Sequence, residues 1–215
     1  MHKPSVVIVD DHDLFRDGLS SLISLKKIAT VIGEASNGFE FLEILHHKKP
    51  DLVLMDISMP LMDGVEATEK AIALHPNLNI LALSMFGDEE YYYKMINAGA
   101  KGFILKSSGK DEIIKAIQTV AAGNSYFSNE LLRRIIVKIG HKTQPLVNPK
   151  ESFTKRELEI IELMCSGLSA SEIAENLFLS KKTIEGHRTN LFAKTGTKNS
   201  VALVIYVIKN HLVEI

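Results

Sequence analysis

Five short apolar runs in the first 125 residues constrain the fold more than any other feature of the sequence. Each run is apolar at consecutive positions, which is typical of a strand covered on both faces. The runs are Ser5–Val9, Thr30–Ala35, Leu52–Met55, Ile80–Leu83 and Gly102–Leu105. Segments with helical periodicity follow them at 12–26, 38–48, 64–75, 88–98 and 109–122. Five strand–helix units in succession predict an α/β domain, residues 1–125, with a five-stranded, doubly wound parallel sheet.

The rest of the chain has a different pattern. Residues 126–149 are predicted to be a linker, with a helix at 129–139 and a loop in which glycine and proline interrupt any periodicity. Residues 150–215 show only helical periodicity, and Ser180 is placed to cap the third helix. The helices are predicted at 154–166, 169–177, 181–194 and 198–211. We therefore expect a second, all-α domain of four helices.

The formal net charge of −1 conceals an asymmetry between these parts. The net charge is −5 over residues 1–125, +3 over 126–148 and +1 over 149–215. Opposite signs favour two separate tasks, although the basic excess is too small to identify nucleic-acid binding by itself. The longest apolar run, Val201–Ile208, is far shorter than the ~18 residues that span a bilayer. A lone Cys165 cannot form an internal disulfide, which fits a reducing cytosol. From the cysteine and the short apolar runs together, we expect a cytoplasmic protein without membrane association.

Polar side chains stand at the carboxyl ends of the predicted strands. Asp10 and Asp11 follow the first strand, Asp56 the third, Ser84 the fourth and Lys106 the fifth. Doubly wound topology brings these ends together at one edge of the sheet, where functional sites gather. Three neighbouring carboxylates repel one another and require a compensating cation. An incomplete shell of oxygen ligands suits Mg²⁺.

A carboxylate in this setting can attack a phosphoryl group, while the cation and Lys106 offset charge on the transferred oxygens. The simpler alternative, that each residue is a helix cap or a solvated loop charge, accounts less well for the whole set. A phosphatase of the haloacid-dehalogenase type also forms an aspartyl-phosphate, but it uses a second Asp where this chain has Ser58. A third alternative is a domain that acts only through protein–protein contact.

Residues 5–122 resemble the receiver domain of bacterial two-component response regulators, which has a flavodoxin-like fold. The resemblance rests on Asp10 and Asp11, the stretch "MDISMPLMDG" around Asp56, Ser84 and Lys106. It implies that Asp56 accepts a phosphoryl group from a partner histidine kinase and that Lys106 binds a phosphoryl oxygen. It also implies Mg²⁺ held by Asp11, Asp56 and the Ser58 carbonyl, with Asp10 acting through water. Ser84 and Phe103 are implied as the switch residues. Ser107 replaces a proline that many receivers carry after the lysine, which leaves the geometry of that peptide open.

The predicted helix 181–194 has one apolar face, formed by Ile184, Leu191 and Thr195, with Phe192 nearby. Its opposite face has small and polar side chains, which allow a helix to lie deep in the major groove of DNA. Gly186 belongs to that face, although glycine inside a helix costs about 1 kcal/mol. The predicted base-facing and phosphate contacts are Lys181, Lys182, Thr183, Glu185, Gly186, His187, Thr189, Asn190 and Lys194. A solvated helix in an interaction domain is the alternative.

The stretch "FTKRELEIIELMCSGLSASEIAENLFLSKKTIEGHRTNLFAKTGTKNSVALV" resembles the LuxR-type helix-turn-helix domain. With the receiver-like part in front, the chain resembles the NarL/FixJ family of transcriptional regulators. The resemblance implies that phosphorylation of Asp56 favours a homodimer and binding to double-stranded promoter DNA. It implies no turnover of an external metabolite, only self-phosphorylation and autodephosphorylation. The apolar last helix is expected to pack on its own domain or to form a dimer seam.

Overall fold

The chain forms two compact units, Met1–Ser128 and Asn129–Ile215. The structure, a computed structural model, describes residues 3–85, 89–127, 153–166, 168–210 and 212–213. The helix predicted at 129–139 and the loop after it lie outside the described residues.

The first unit contains a parallel sheet in the order β2-β1-β3-β4-β5-β6. Its strands are β1 (Ser5–Val9), β2 (Thr30–Ala35), β3 (Leu52–Asp56), β4 (Ile80–Ser84), β5 (Gly102–Leu105) and β6 (Tyr126–Phe127). Strands β3 and β4 are buried at every position, as their uninterrupted apolar runs predict for strands covered on both faces. Each extends one residue beyond its predicted end, so Asp56 and Ser84 belong to the sheet.

The prediction of five strands is wrong, because Tyr126 and Phe127 form a sixth strand instead of starting a linker. They pair with Gly102 and Phe103 of β5, and the Tyr126 N–H donates to the Lys101 carbonyl at 3.1 Å. Two residues are too few to produce a periodic pattern, so the sequence carries no signal for this strand. The short strand covers backbone groups along the edge of β5 that would otherwise be open to pairing.

Five helices of the first unit follow the predictions within one or two residues. They are α1 (Asp13–Lys26), α2 (Gly38–His47), α3 (Gly64–Leu74), α4 (Glu89–Ala98) and α5 (Lys110–Ala121). The side chain of Asp63 caps α3 by accepting from the Glu66 N–H. Gly99 ends α4 with a φ of 115°, and its N–H donates to the Met95 and Ile96 carbonyls. Gly99 therefore caps the end of α4.

The second unit contains α6 (Lys155–Cys165), α7 (Ala170–Asn176), α8 (Lys181–Thr195) and α9 (Ser200–Lys209). The first two begin with capping boxes, Thr154 with Glu157 and Ser169 with Glu172. Ser180 caps α8 as predicted, since its side chain accepts from the Thr183 N–H. Ile160, Ile173, Ile184, Leu191 and Leu203 meet in the core. No helix in the described parts of the chain is long and apolar enough to cross a membrane.

The turn between α7 and α8 holds an unusual residue, Phe178. Its φ is 53°, in the left-handed region, and its side chain is 95% exposed. A non-glycine residue pays about 1–2 kcal/mol for that conformation. Burial of the ring does not offset this cost.

Phe178→Gly is therefore expected to stabilise the second unit by about 1 kcal/mol, because it removes backbone strain and loses no packing. For a unit of this size the gain corresponds to about 4–8 °C in Tm, measurable by differential scanning calorimetry. Phe178→Ala is the matched control, since it removes the ring but keeps the strain. Equal Tm values for the two variants would show that the backbone is not strained there.

Candidate functional site

The predicted site residues of the first unit meet at the carboxyl edge of the sheet. Strands β2 and β3 lie on opposite sides of β1, so the chain order reverses beside β1. Asp10 follows β1, and Asp56 at the end of β3 pairs with Leu83 of β4. Asp10, Asp56 and Ser84 are at most 2% exposed. This is the place where a doubly wound sheet is expected to hold its site.

Lys106 binds two of the buried carboxylates at once. Its Nζ lies 2.8 Å from Asp10 Oδ2 and 2.9 Å from Asp56 Oδ2, and its side chain is only 6% exposed. The Lys106 N–H donates to the Ser84 carbonyl at 2.7 Å, which anchors the residue beyond β5. The peptide bond to Ser107 is trans, as are all peptide bonds of the described residues. The ammonium supplies part of the positive charge that the acidic pocket requires.

Asp56 has an altered acidity because of its burial. Desolvation raises the pKa of Asp56 from 3.8 to about 6, the Lys106 ammonium opposes this, and the Asp10 carboxylate adds to it. The Ile57 N–H donates to Asp56 Oδ1 at 2.8 Å and fixes one oxygen. The other oxygen faces Lys106. The carboxylate is thus held in one orientation and is ionised at neutral pH.

His12 is a member of the pocket that the sequence analysis did not identify. Its Nδ1 lies 2.8 Å from Asp11 Oδ1 and 3.3 Å from Asp10 Oδ1. Asp10, Asp11, His12 and Asp56 each offer one ligand atom, and these atoms lie within 4.8 Å of one another. Arg16 was also missed, and it donates to the Asp10 carbonyl at 2.6 Å. No sequence pattern signals either residue, because a histidine one residue after Asp11 and an arginine five residues after it form no motif by themselves.

The arrangement fits a divalent cation. Asp11 Oδ1 is buried and accepts no hydrogen bond of regular geometry, although His12 Nδ1 lies 2.8 Å away. A buried carboxylate oxygen without a well-aligned partner is unfavourable. Three carboxylates facing one ammonium leave an excess of negative charge. Carboxylate oxygens are the ligands that Mg²⁺ prefers. The pocket can therefore accept a metal ion between Asp11 and Asp56.

The loop after β3 is held close to Asp56 by Gly64. A Cβ at Gly64 would lie 2.0 Å from the Asp56 carbonyl oxygen, so only glycine fits there. The Gly64 N–H donates to the Ile57 carbonyl at 2.9 Å. Ser58, the predicted backbone ligand, is exposed in this loop. The close approach explains why the sequence places glycine directly after Asp63.

Ser84 and Phe103 lie in neighbouring strands but not in direct register. Ser84 pairs with Leu105, and Phe103 pairs with Ala82. The Ser84 hydroxyl donates to the Met85 carbonyl at 2.9 Å. Phe103 is already buried, and its ring packs edge-on against Tyr92 of α4 with centroids 4.3 Å apart. Tyr92, which the sequence analysis did not identify, connects the predicted switch residue Phe103 to α4.

The outer face of α8 is small, polar and open. Most of the predicted DNA-contacting residues are exposed, and His187 is partly buried. The exposed members are Lys181, Lys182, Thr183, Glu185, Gly186, Thr189, Asn190 and Lys194. A Cβ at Gly186 would meet nothing within 4 Å. Packing inside the domain therefore gives no reason for a glycine at this position.

Two basic residues of α8 have partners inside the domain. Lys194 Nζ lies 2.7 Å from Glu157 Oε2, which joins α8 to α6. Burial raises the pKa of Glu157, but Lys194 and the Thr154 N–H lower it by a larger amount. The pKa of Glu157 therefore lies below its ordinary value. Arg188, which the sequence analysis did not assign, is partly buried and donates to the Ser200 hydroxyl at the start of α9. Both residues stabilise the position of the helix.

Replacing Asp56 tests the charge balance of the pocket. A raised pKa means that the folded chain binds the proton more tightly than the unfolded chain does. This contribution to stability is complete below the unfolded pKa of about 3.8 and is lost as the pH rises through about 6. At pH 7 without divalent cations, Asp56→Asn should raise the free energy of unfolding by on the order of 1–3 kcal/mol. The difference should shrink toward pH 4.5.

Urea unfolding followed by tyrosine fluorescence measures this difference, since four of the five tyrosines lie in the first unit. Asp17→Asn, at an exposed position of α1, is the matched control and should show no such pH dependence. A stability difference that stays constant between pH 4.5 and 7.5 would contradict the pKa assignment.

Comparison with known proteins places both units in described families. Residues 6–118 match the response regulator receiver domain, and residues 151–207 match the luxR family of bacterial regulatory proteins. The oxygen regulatory protein NreC of Staphylococcus aureus (strain bovine RF122 / ET3-1) is 38% identical over 214 residues. That match covers 97% of this chain and 99% of NreC.

Solved structures of related proteins agree with this placement. The response regulator ChrA of a heme-sensing two-component system is 26% identical, with a TM-score of 0.53, over 99% of this chain and 100% of ChrA. A LuxR-family response regulator from Aurantimonas sp. SI85-9A1 is 29% identical, with a TM-score of 0.60, over 63% of this chain and 97% of its own. The protein therefore belongs to the NarL/FixJ-type response regulators, two-component transcription regulators in which a receiver domain precedes a LuxR-family DNA-binding domain.

Proposed function

We propose that Asp56 accepts a phosphoryl group from a phosphohistidine of a partner kinase and that this controls dimerisation and promoter binding. The observation that carries the proposal is the position of Asp56 at the carboxyl edge of the sheet. It is buried there, 2.9 Å from the Lys106 ammonium and beside Asp10 and Asp11. The second unit supplies the DNA-binding output.

In the transfer step, an Asp56 oxygen attacks the phosphorus atom. The new O–P bond forms as the P–N bond to the kinase histidine breaks, and the electron pair stays on the imidazole nitrogen. Lys106, already held against Asp56, exchanges its contact with the carboxylate for one with a phosphoryl oxygen. Asp11, Asp56 and the Ser58 carbonyl would hold Mg²⁺, with Asp10 as a further acidic neighbour, and the bound ion would supply positive charge for the transferred oxygens. Water later attacks the phosphorus atom, the bond between phosphorus and the Asp56 oxygen breaks, and inorganic phosphate leaves with the carboxylate restored.

The switch begins with the Ser84 hydroxyl, which turns from the Met85 carbonyl toward the phosphoryl group. Phe103 is buried in the structure, before any phosphorylation. The ring therefore does not have to move inward when the Ser84 hydroxyl turns. The change reaches α4 through the contact between Phe103 and Tyr92. The phosphoryl group thereby shifts the balance between two arrangements of the α4 surface.

The DNA interface is the exposed face of α8. Lys181 and Lys182, in the first turn, hold phosphates and fix the register. Gly186, Thr189 and Asn190 face the bases, where the lack of a Cβ at Gly186 permits close approach. Lys194 remains paired with Glu157 while its partly exposed ammonium adds positive charge near the backbone. Glu185 accepts from a base amino group or repels the wrong sequence.

A gel shift on the upstream region of the protein's own gene tests the proposal. Wild type and Asp56→Asn are each compared with and without acetyl phosphate in the presence of magnesium. Treated wild type should bind about 5- to 150-fold more tightly than the other three samples and should sediment as a dimer. Equal binding in all four samples would remove phosphorylation from the mechanism, and no binding in any would leave a domain acting through protein contacts.

Gly186→Ala separates the stability of α8 from its DNA contacts. The substitution should stabilise the second unit by about 1 kcal/mol, because it favours the helix and meets no neighbour. It should nevertheless weaken promoter binding at least about tenfold, or about 1.4 kcal/mol, because the methyl group lies between the helix and the bases. Calorimetry and the gel shift measure the two effects.

Gly18→Ala is the matched control. Gly18 also lies in a helix, α1, and a Cβ added there would meet nothing within 4 Å. The substitution should stabilise the first unit by a similar amount without changing DNA affinity. Promoter binding that is unchanged in Gly186→Ala would place the DNA interface elsewhere on the domain.

A further inference from the structure

The side chain of His12 lies in the pocket and does not cap the helix that the residue precedes. It occupies the N-cap position of α1, but its side chain makes no capping hydrogen bond. Its backbone N–H donates to Asp10 Oδ1 at 2.9 Å, which orients the residue toward the carboxylates. The ring is 60% exposed, so a bound ion or water can reach it from solvent. The imidazole is therefore available for a role in the pocket.

The contact between His12 and Asp11 is close but does not have the geometry of a hydrogen bond. The distance from Nδ1 to Asp11 Oδ1 is 2.8 Å, yet this buried oxygen accepts no hydrogen bond. A carboxylate oxygen and an imidazole nitrogen at this separation suit two adjacent ligands of one cation, with the nitrogen acting as donor when it carries no proton. Ligand atoms of Asp10 and Asp56 lie within 4.8 Å of both. The imidazole thus adds a nitrogen donor to a set that otherwise consists of oxygen.

We propose that His12 Nδ1 is a direct ligand of the pocket and makes it favour first-row transition cations, such as Co²⁺ and Zn²⁺, over Mg²⁺. Carboxylates, carbonyls and water suit Mg²⁺, whereas an imidazole nitrogen suits the later divalent ions. Such ions would compete with Mg²⁺ for the site of phosphorylation. The inference rests on the proposed metal site and adds a ligand and a selectivity to it.

The alternative role for His12 is to hold Asp11 in place without touching the ion. In that case, removal of the imidazole would weaken the binding of Mg²⁺ and of Co²⁺ to the same degree, because both ions depend on Asp11. If His12 binds the ion directly, removal of the imidazole instead lowers the affinity for the transition cation more than the affinity for Mg²⁺. The ratio of the two affinities therefore distinguishes the roles.

Isothermal titration calorimetry of the full chain with MgCl₂ and with CoCl₂ provides this ratio for wild type, His12→Ala and His47→Ala. His47 is exposed at the end of α2, away from the carboxyl edge, and is the matched control. We expect His12→Ala to weaken Co²⁺ binding about tenfold or more and to change Mg²⁺ binding less than about threefold. His47→Ala should change the affinity for neither ion.

A second measurement does not depend on a variant. Addition of Zn²⁺ to ¹⁵N-histidine-labelled protein should shift the Nδ1 resonance of His12 as the nitrogen coordinates the ion. Parallel losses of Mg²⁺ and Co²⁺ affinity, or an unchanged Nδ1 resonance, would overturn the inference and leave the proposed function intact. Wild type that binds neither Mg²⁺ nor Co²⁺ would instead overturn the proposed metal site itself.

Discussion

The balance of charge around Lys106 is the constraint on which the first unit depends. Its ammonium lies within 2.9 Å of two carboxylates that are almost completely buried. Desolvated charges of one sign in such a space are costly unless an opposite charge or a cation is present. The ammonium offsets part of that cost and leaves an excess of negative charge, which favours the binding of a further cation.

Under the proposed function, the pocket has two states in which Lys106 and Ser84 have different partners. Lys106 binds Asp10 and Asp56 in the structure, and phosphorylation would give it a phosphoryl oxygen instead. The Ser84 hydroxyl, bonded to the Met85 carbonyl, can likewise change its acceptor. Tyr92 and Phe103 are in contact between β5 and α4, so a change at the strand end has a packed route to the helix surface. Packed aromatic rings transmit displacement because protein interiors compress little.

Sequence reasoning was most successful where a residue's role follows from its place on a regular element. The consecutive apolar runs predicted β1 to β5, and the order of their ends predicted that Asp10, Asp56, Ser84 and Lys106 share one edge. It failed where the element was too short or the contact too distant along the chain. Tyr126 and Phe127 are too few residues to show a period. In the sequence, His12 is a single histidine outside any motif. The pair formed by Glu157 and Lys194 joins residues 37 positions apart, and no local pattern signals it.

The sequence by itself determined the parallel sheet, the helical second unit and the residues at the carboxyl edge, because hydrophobic periodicity and strand order are properties of the chain. Tertiary structure alone decided which groups touch: that Lys106 binds both Asp10 and Asp56, that His12 joins the carboxylates, and that Lys194 is held by Glu157. It also decided that the pKa of Asp56 rises to about 6, since this shift comes from burial. Distances of a few ångströms between strand ends depend on how the elements pack, and they fix both charge and acidity.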